Sequence, residues 1–136
     1  MKVNILWLKL AVVPVVMIGC MHSKIQPADD DIIPVATINV FSPIEGSVLS
    51  INDSVSIKAQ AVSNAPLHGY DLIIKQANDT TTYLFTHFHD HEGDTINIDQ
   101  KWKGALQAPV NLEAVITVYL DHELHTKSEK LHFRIE

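Results

Sequence analysis

The feature that most constrains the fold is a period-two alternation of apolar and polar residues, repeated along most of the chain. Side chains two apart on a strand leave on the same face, so each stretch has one face for a core and one for water. Turn-forming residues separate the stretches, and no helical repeat competes with them. The predicted strands are 37–41, 54–61, 70–75, 81–89, 95–99, 112–120 and 127–135. Seven short strands in one small domain predict an all-β, antiparallel sandwich of the immunoglobulin or fibronectin type.

The first twenty residues are organised like an export signal. Lys2 and Lys9 precede an apolar run, residues 10–18, which is too short to cross a bilayer, since a spanning helix needs about 20 apolar residues. A small residue then precedes Cys20, the single cysteine. Residues 17–20, Met-Ile-Gly-Cys, resemble the bacterial lipobox, which implies a cysteine lipidated on sulfur at the mature N-terminus. The alternative is an ordinary secretory signal that happens to end in a cysteine.

These features divide the chain into a lipoprotein signal peptide (1–19), a flexible acidic tether that starts at the lipidated cysteine (20–35), and an Ig-like domain (36–136). The three aspartates at 29–31 are either a solvated spacer or similar to the surface-export signal of some Gram-negative lipoproteins.

The formal net charge of −6 argues against a nucleic-acid partner. We expect an outer-membrane lipoprotein of the cell envelope, on its periplasmic or surface face, held by its lipid anchor. A protein partner in the envelope is an open alternative, and the sequence does not identify it.

Three histidines alternate with other residues at the end of the fourth predicted strand: His87, His89 and His91. On a strand, all three imidazoles leave on one face. Residues two apart lie about 6.6–7 Å from each other, close enough for two rings to bend toward one ion at Zn–N distances of roughly 2.0–2.1 Å. The competing interpretation is a row of solvated histidines on an edge strand.

The predicted strand order brings more histidines to the same end of the sandwich. When strands run alternately up and down, the loops after the second, fourth and sixth strands lie at one pole. We call these loops, which carry His68, residues 87–91 and residues 121–125, the histidine pole. Imidazole and carboxylate ligands suit zinc, copper or nickel better than calcium or magnesium, so we expect zinc or copper here. The favoured ligands are His87, His89 and His122, completed by His91, His125 or Asp90, with Asp121, Glu123 and His68 supporting them from outside.

Two further histidines lie elsewhere. His22 falls in the tether, and His132 lies on the last predicted strand. His132 is expected to be an exposed strand residue with no role.

The start of the domain carries a resemblance to a family. Residues 41–48, Phe-Ser-Pro-Ile-Glu-Gly-Ser-Val, look like the opening of many bacterial extracellular Ig-like domains. Together with the lipobox and the His-x-His-Asp-His segment at 87–91, they make the chain resemble a family of Ig-like lipoproteins of Gram-negative bacteria. The resemblance implies the fold and the envelope location, and no particular activity.

A shorter resemblance concerns catalysis. Residues 88–94, Phe-His-Asp-His-Glu-Gly-Asp, are similar to the copper-ligand strand of copper/zinc superoxide dismutase, which is also a β-sandwich. The disulfide pair and the long zinc loop of that family are missing. No nucleophile elbow and no glycine-rich phosphate loop occurs. The expected function is therefore metal binding without catalysis. The alternatives are a structural or partner-binding module without metal and a superoxide dismutase-like enzyme.

Overall fold

The computed structural model describes residues 34–91, 93–107, 109–123 and 125–136. The predicted signal peptide (1–19), Cys20 and the aspartates at 29–31 lie outside the described residues. The regular structure within them is β. The strands are β1 (Ala36–Ser42), β2 (Val48–Leu49), β3 (Val55–Ser63), β4 (Tyr70–Gln76), β5 (Thr82–Phe88), β6 (Thr95–Trp102), β7 (Val110–Tyr119) and β8 (Thr126–Ile135).

The strands form two sheets, one of order β1-β3-β6 and one of order β2-β8-β7-β4-β5. All pairs are antiparallel except β2 and β8, which run parallel over two residue pairs. The predicted immunoglobulin/fibronectin-type sandwich is confirmed. The structure adds one strand to the predicted seven. Because β2 is only two residues long, it shows no alternation that the sequence could reveal.

The core lies between the sheets and consists of the alternating apolar residues. Ile57 on β3, Leu72 on β4 and Ile116 on β7 are at most 1% exposed. Burying an aliphatic side chain of this size contributes about 1.5–3 kcal/mol. The fifth predicted strand ended at residue 99, whereas β6 continues to Trp102, which pairs with Val55 and is buried. Because charged and polar residues precede Trp102, the sequence pattern does not predict this extension.

The loops β3–β4, β5–β6 and β7–β8 meet at one end of the sandwich, which is the histidine pole. The Leu67 N–H donates to the Gly93 carbonyl at 2.8 Å, and the His68 N–H donates to the Tyr119 carbonyl at 2.9 Å. Strand β1 also starts there, since the Asn64 N–H donates to the Val35 carbonyl. In the part of the chain that the structure describes, no helix has the length and hydropathy of a membrane span.

Candidate metal centre

Three histidines at this pole face one another: His68 from the β3–β4 loop, His91 from the β5–β6 loop and His122 from the β7–β8 turn. Each offers a ring nitrogen, and these atoms all lie within 4.8 Å of one another. The ring centroids are 4.6 Å apart for His68 and His91, 4.2 Å for His68 and His122, and 5.3 Å for His91 and His122. Imidazoles that bind one tetrahedral ion have centroids about 5 Å apart. We call these residues the histidine triad, and small ring movements would bring its nitrogens onto one ion.

The backbone on both sides of His68 fixes its position. Leu67 is fully buried and anchors the loop in the core. Tyr119 accepts from the His68 N–H, and its own N–H donates to the Gly69 carbonyl at 3.0 Å. Gly69 has φ of +121°, and a Cβ there would collide with the Phe88 carbonyl oxygen. Glycine therefore lets the start of β4 approach the exit of β5 closely enough for His68 to reach His91.

The turn that carries His122 is closed by Asp121. One carboxylate oxygen of Asp121 accepts from the backbone N–H groups of Glu123 at 2.9 Å and His125 at 3.1 Å. The other contacts His125 Nδ1 at 2.6 Å. Burial alone would raise the pKa of Asp121, but the hydrogen bonds from His125 and Glu123 outweigh it and hold that pKa below its usual value. An ionised Asp121 thus fixes the turn and presents His122 to the triad.

The electrostatics around His68 favour its neutral ring. Burial, followed by the neighbouring His122 and His91, lowers the pKa of His68 below its ordinary value of 6.5. His68 Nδ1 is buried and has no hydrogen-bond partner among the described residues. A buried polar atom without a partner calls for an explanation, such as an ion. Neutral imidazole is also the form that binds metals.

His87 lies beside the triad and has a different partner. Its Nδ1 is 2.7 Å from one oxygen of Asp71, the residue directly opposite on β4. The other Asp71 oxygen accepts from the Tyr119 hydroxyl at 2.6 Å. This hydrogen bond, followed by burial, raises the pKa of Tyr119. The Asp71 carboxylate therefore fixes the orientation of His87 from the outer face of the sheet.

His89 lies between His87 and the triad. Its ring lies 6.3 Å from that of His87 and nearly parallel to it, with an interplanar angle of 22°, and it meets the ring of His91 edge-on at 4.3 Å. A cleft of about 340 Å³ opens beside these rings. It is lined by His68, His87, His89, Tyr119, Asp121 and His122. A larger groove of about 490 Å³ lies elsewhere, against β1 and β8, and holds no histidine.

The predicted ligands separate into two sets. His91 and His122 lie in the triad, joined by His68, which the sequence analysis had placed in a supporting position. Asp90, His87, His89 and His125 are not part of the triad. Asp71 engages His87 and Asp121 engages His125, and both of these histidines lie outside the triad. Glu123 is exposed and gives its backbone N–H to Asp121.

Asp71 and Gly69 contribute to the site and were not predicted from the sequence. Asp71 lies on a strand of the predicted sandwich, but only the β4–β5 register shows that it faces His87. The sequence His68-Gly69 was a usable signal, because a glycine at the start of a strand often marks a close approach of two backbones.

No protein-family model and no curated protein matches the chain. Among solved structures, it is similar to the fibronectin(III)-like modules of Clostridium thermocellum CbhA, with a TM-score of 0.46 and 16% identity over 73% of this chain and 94% of that one. It is also similar to the CARDB domain of a Pyrococcus furiosus protein in complex with di-metal ions, with a TM-score of 0.43 and 10% identity over 76% of this chain and 96% of that one. No argument about activity follows from either.

Proposed function

We propose that this domain binds one divalent transition metal ion, zinc or copper, through His68, His91 and His122. The observation that carries the proposal is the convergence of ring nitrogens from three separate loops within 4.8 Å of one another. Edge-to-face contacts between neutral imidazoles are only weakly attractive, and protonated histidines repel one another. An ion bound between them would supply the missing attraction and would give the orphaned His68 nitrogen a partner.

The geometry favours reversible binding over a structural role. Structural zinc sites are closed by four protein ligands, whereas three histidines leave a coordination position for water or an exchangeable ligand. Two members of the triad, His91 and His122, are exposed. The apolar core between the sheets is continuous without the ion. We therefore infer a protein that captures or stores metal.

We further propose that the domain works in the cell envelope as an outer-membrane lipoprotein. Support comes from the lipobox-like residues 17–20, which end in Cys20. Cys20→Ser should give an unlipidated protein that no longer partitions with membranes. A variant that stays in the membrane fraction like the wild type would contradict this location.

Calorimetric titration of tag-free protein with Zn²⁺ or Cu²⁺ tests the metal site. We expect one ion per chain with a dissociation constant below about 10 μM, which is roughly 7 kcal/mol of binding free energy. His91→Ala and His122→Ala should each weaken binding at least tenfold, roughly the size of effect known for lost metal-site residues. His132→Ala is the matched control, because His132 is an exposed histidine outside the pole. Weaker binding by the wild type, or equal effects of all three variants, would contradict the proposal.

A partner-binding module is the second candidate, and one observation favours it. The segment from the end of β1 to β2 exposes Phe41, Ile44 and Val48, which are 62%, 76% and 58% accessible. Exposed apolar side chains close together in the chain are typical of contact surfaces. If the tag-free protein is purified without metal and takes none up, this candidate replaces the first.

A further inference from the structure

We propose that His87 and His89 form a second, weaker cation position, which takes a metal ion from solution and passes it to the histidine triad. This inference rests on the proposed function. It gives a role to His87 and His89, which lie beside the triad and are not part of it.

The hydrogen bonds around His87 prepare its ring for an ion. An ionised carboxylate can only accept a hydrogen bond, so Nδ1–H of His87 donates to Asp71, and in the neutral ring the lone pair is then on Nε2. Carboxylate–histidine pairs of this kind are how proteins orient histidines that bind metals. Asp71 is itself fixed by the Tyr119 hydroxyl, so the arrangement exists before any ion arrives. The His87 side chain is 53% accessible, and therefore open to ions in solution.

The spacing between the rings fits an ion shared by His87 and His89. Two imidazoles bound to one ion have centroids about 5–6.5 Å apart, depending on the angle at the metal. The two rings here are 6.3 Å apart, near the upper end of that range, and nearly parallel. A rotation of the side chains would turn a nitrogen of each ring toward a shared ion. Two ligands hold an ion less firmly than three, so this position would be occupied briefly and lose its ion to the triad.

His89 connects the two positions, because its ring is also 4.3 Å from that of His91. Transfer would proceed by ligand exchange, in which a His87 nitrogen leaves the ion as a triad nitrogen binds. The coordination number is kept, and no electron or proton changes hands. Both positions border the same cleft, whose wall includes Asp121. Asp71 and Asp121 give this path a negative potential that attracts cations.

The test separates the rate of binding from its equilibrium. Stopped-flow mixing of tag-free protein with Cu²⁺ follows the visible absorption of the bound ion, and calorimetry gives the affinity. We expect His87→Ala and Asp71→Asn to slow association about tenfold, a typical size for electrostatic and positional steering of an ion, while the affinity of the triad changes less than about threefold. His132→Ala is a close control, because His132 is also 53% accessible and carboxylate-paired but lies away from the triad.

The outcomes distinguish this inference from the proposed function. Slower association with unchanged affinity supports the second position. An unchanged rate in both variants, with normal binding, overturns the second position and leaves the triad intact. A parallel loss of rate and affinity overturns it as well, because His87 would then be an ordinary ligand of the main site. If the wild type binds no Cu²⁺ at all, the proposed function fails and this inference fails with it.

Discussion

Histidines have different neighbours at the two ends of the sandwich. At the histidine pole, His68, His91 and His122 face one another. At the other end, both ring nitrogens of His132 meet carboxylates, with Nδ1 3.2 Å from Glu45 and Nε2 3.4 Å from Glu113. His132 therefore has carboxylate partners on both sides, whereas a histidine that faces other histidines is a candidate metal ligand. The two partners of His132, Glu45 and Glu113, are far from it in the sequence, so the alternation pattern does not predict them.

Glu113 lies at the centre of a group of charged side chains at the far end. Its side chain is 12% accessible and contacts Lys75 at 3.3 Å and Lys130 at 3.6 Å. Burial alone would raise the pKa of Glu113, but the bond from Lys75 and the charges of Lys130 and His132 outweigh it and lower that pKa. We call Glu113, Lys75, Lys130 and His132 the Glu113 cluster. It places opposite charges side by side, whereas the triad brings three imidazoles together.

The largest loss of unfolding free energy should come from a substitution that destabilises both ends of the sandwich. Strand β7 connects them, and Ile116→Asp would place an unpaired carboxylate in the core at a cost of several kcal/mol. Thr117→Asp is the matched control. Its side chain lies on the outer face, bonded to the Ser128 hydroxyl at 2.8 Å, and the change should cost less than about 1 kcal/mol. Urea unfolding measures both, and equal losses would mean that β7 does not carry the core.

A smaller effect should be confined to the histidine pole. Gly69→Ala adds a Cβ that collides with Phe88, at a positive φ, and should cost about 2 kcal/mol and separate His68 from His91. Metal affinity should fall at least tenfold, roughly as for other displaced metal-site residues. Gly46 provides the control at the other end, because it also has positive φ (+74°) but nothing within 4 Å of an added Cβ. Gly46→Ala should cost about 1 kcal/mol and leave metal affinity unchanged. Equal affinities in the two variants would refute this role of Gly69.

The smallest expected effect is that the two ends of the metal-free protein lose stability at different pH values. His68 has a lowered pKa, so the unfolded chain takes up its proton first and stability declines as pH falls through 6.5. Glu113 also has a lowered pKa, so its stabilising contribution is complete above 4.5 and declines as pH falls below that value. Melting temperatures measured from pH 8 to pH 3 should therefore fall in two steps. His68→Ala should remove the upper step alone, and Glu113→Gln should make the lower step smaller, since Asp121 and Asp79 also have lowered pKa values and contribute to it. A single step unaffected by either change would contradict the comparison.

The sequence predicts the sandwich well because period-two alternation is a local signal. The inward face of β7, with Leu112, Ile116 and Val118, could be assigned directly and is buried as expected. The gathering of loops at one pole follows from strand order alone. Neither signal depends on side-chain contacts between distant residues.

The members of the site were harder to predict, because they depend on register and loop conformation. That Asp71 lies opposite His87 is a property of the β4–β5 register, which alternation does not give. That His68 reaches His91 depends on the close approach at Gly69. Both are contacts between residues far apart in the chain, and the same sequence pattern is compatible with several sets of histidine partners.

The central claim is that the triad holds a metal ion, and anomalous diffraction at the zinc edge tests it most directly. Crystals of tag-free protein grown with Zn²⁺ would locate the ion without assumptions about the ligands. We predict that the strongest peak lies between His68, His91 and His122, with Zn–N distances of about 2.0–2.1 Å. A strongest peak at His132 and Glu45, or no peak within reach of the triad, would contradict the account.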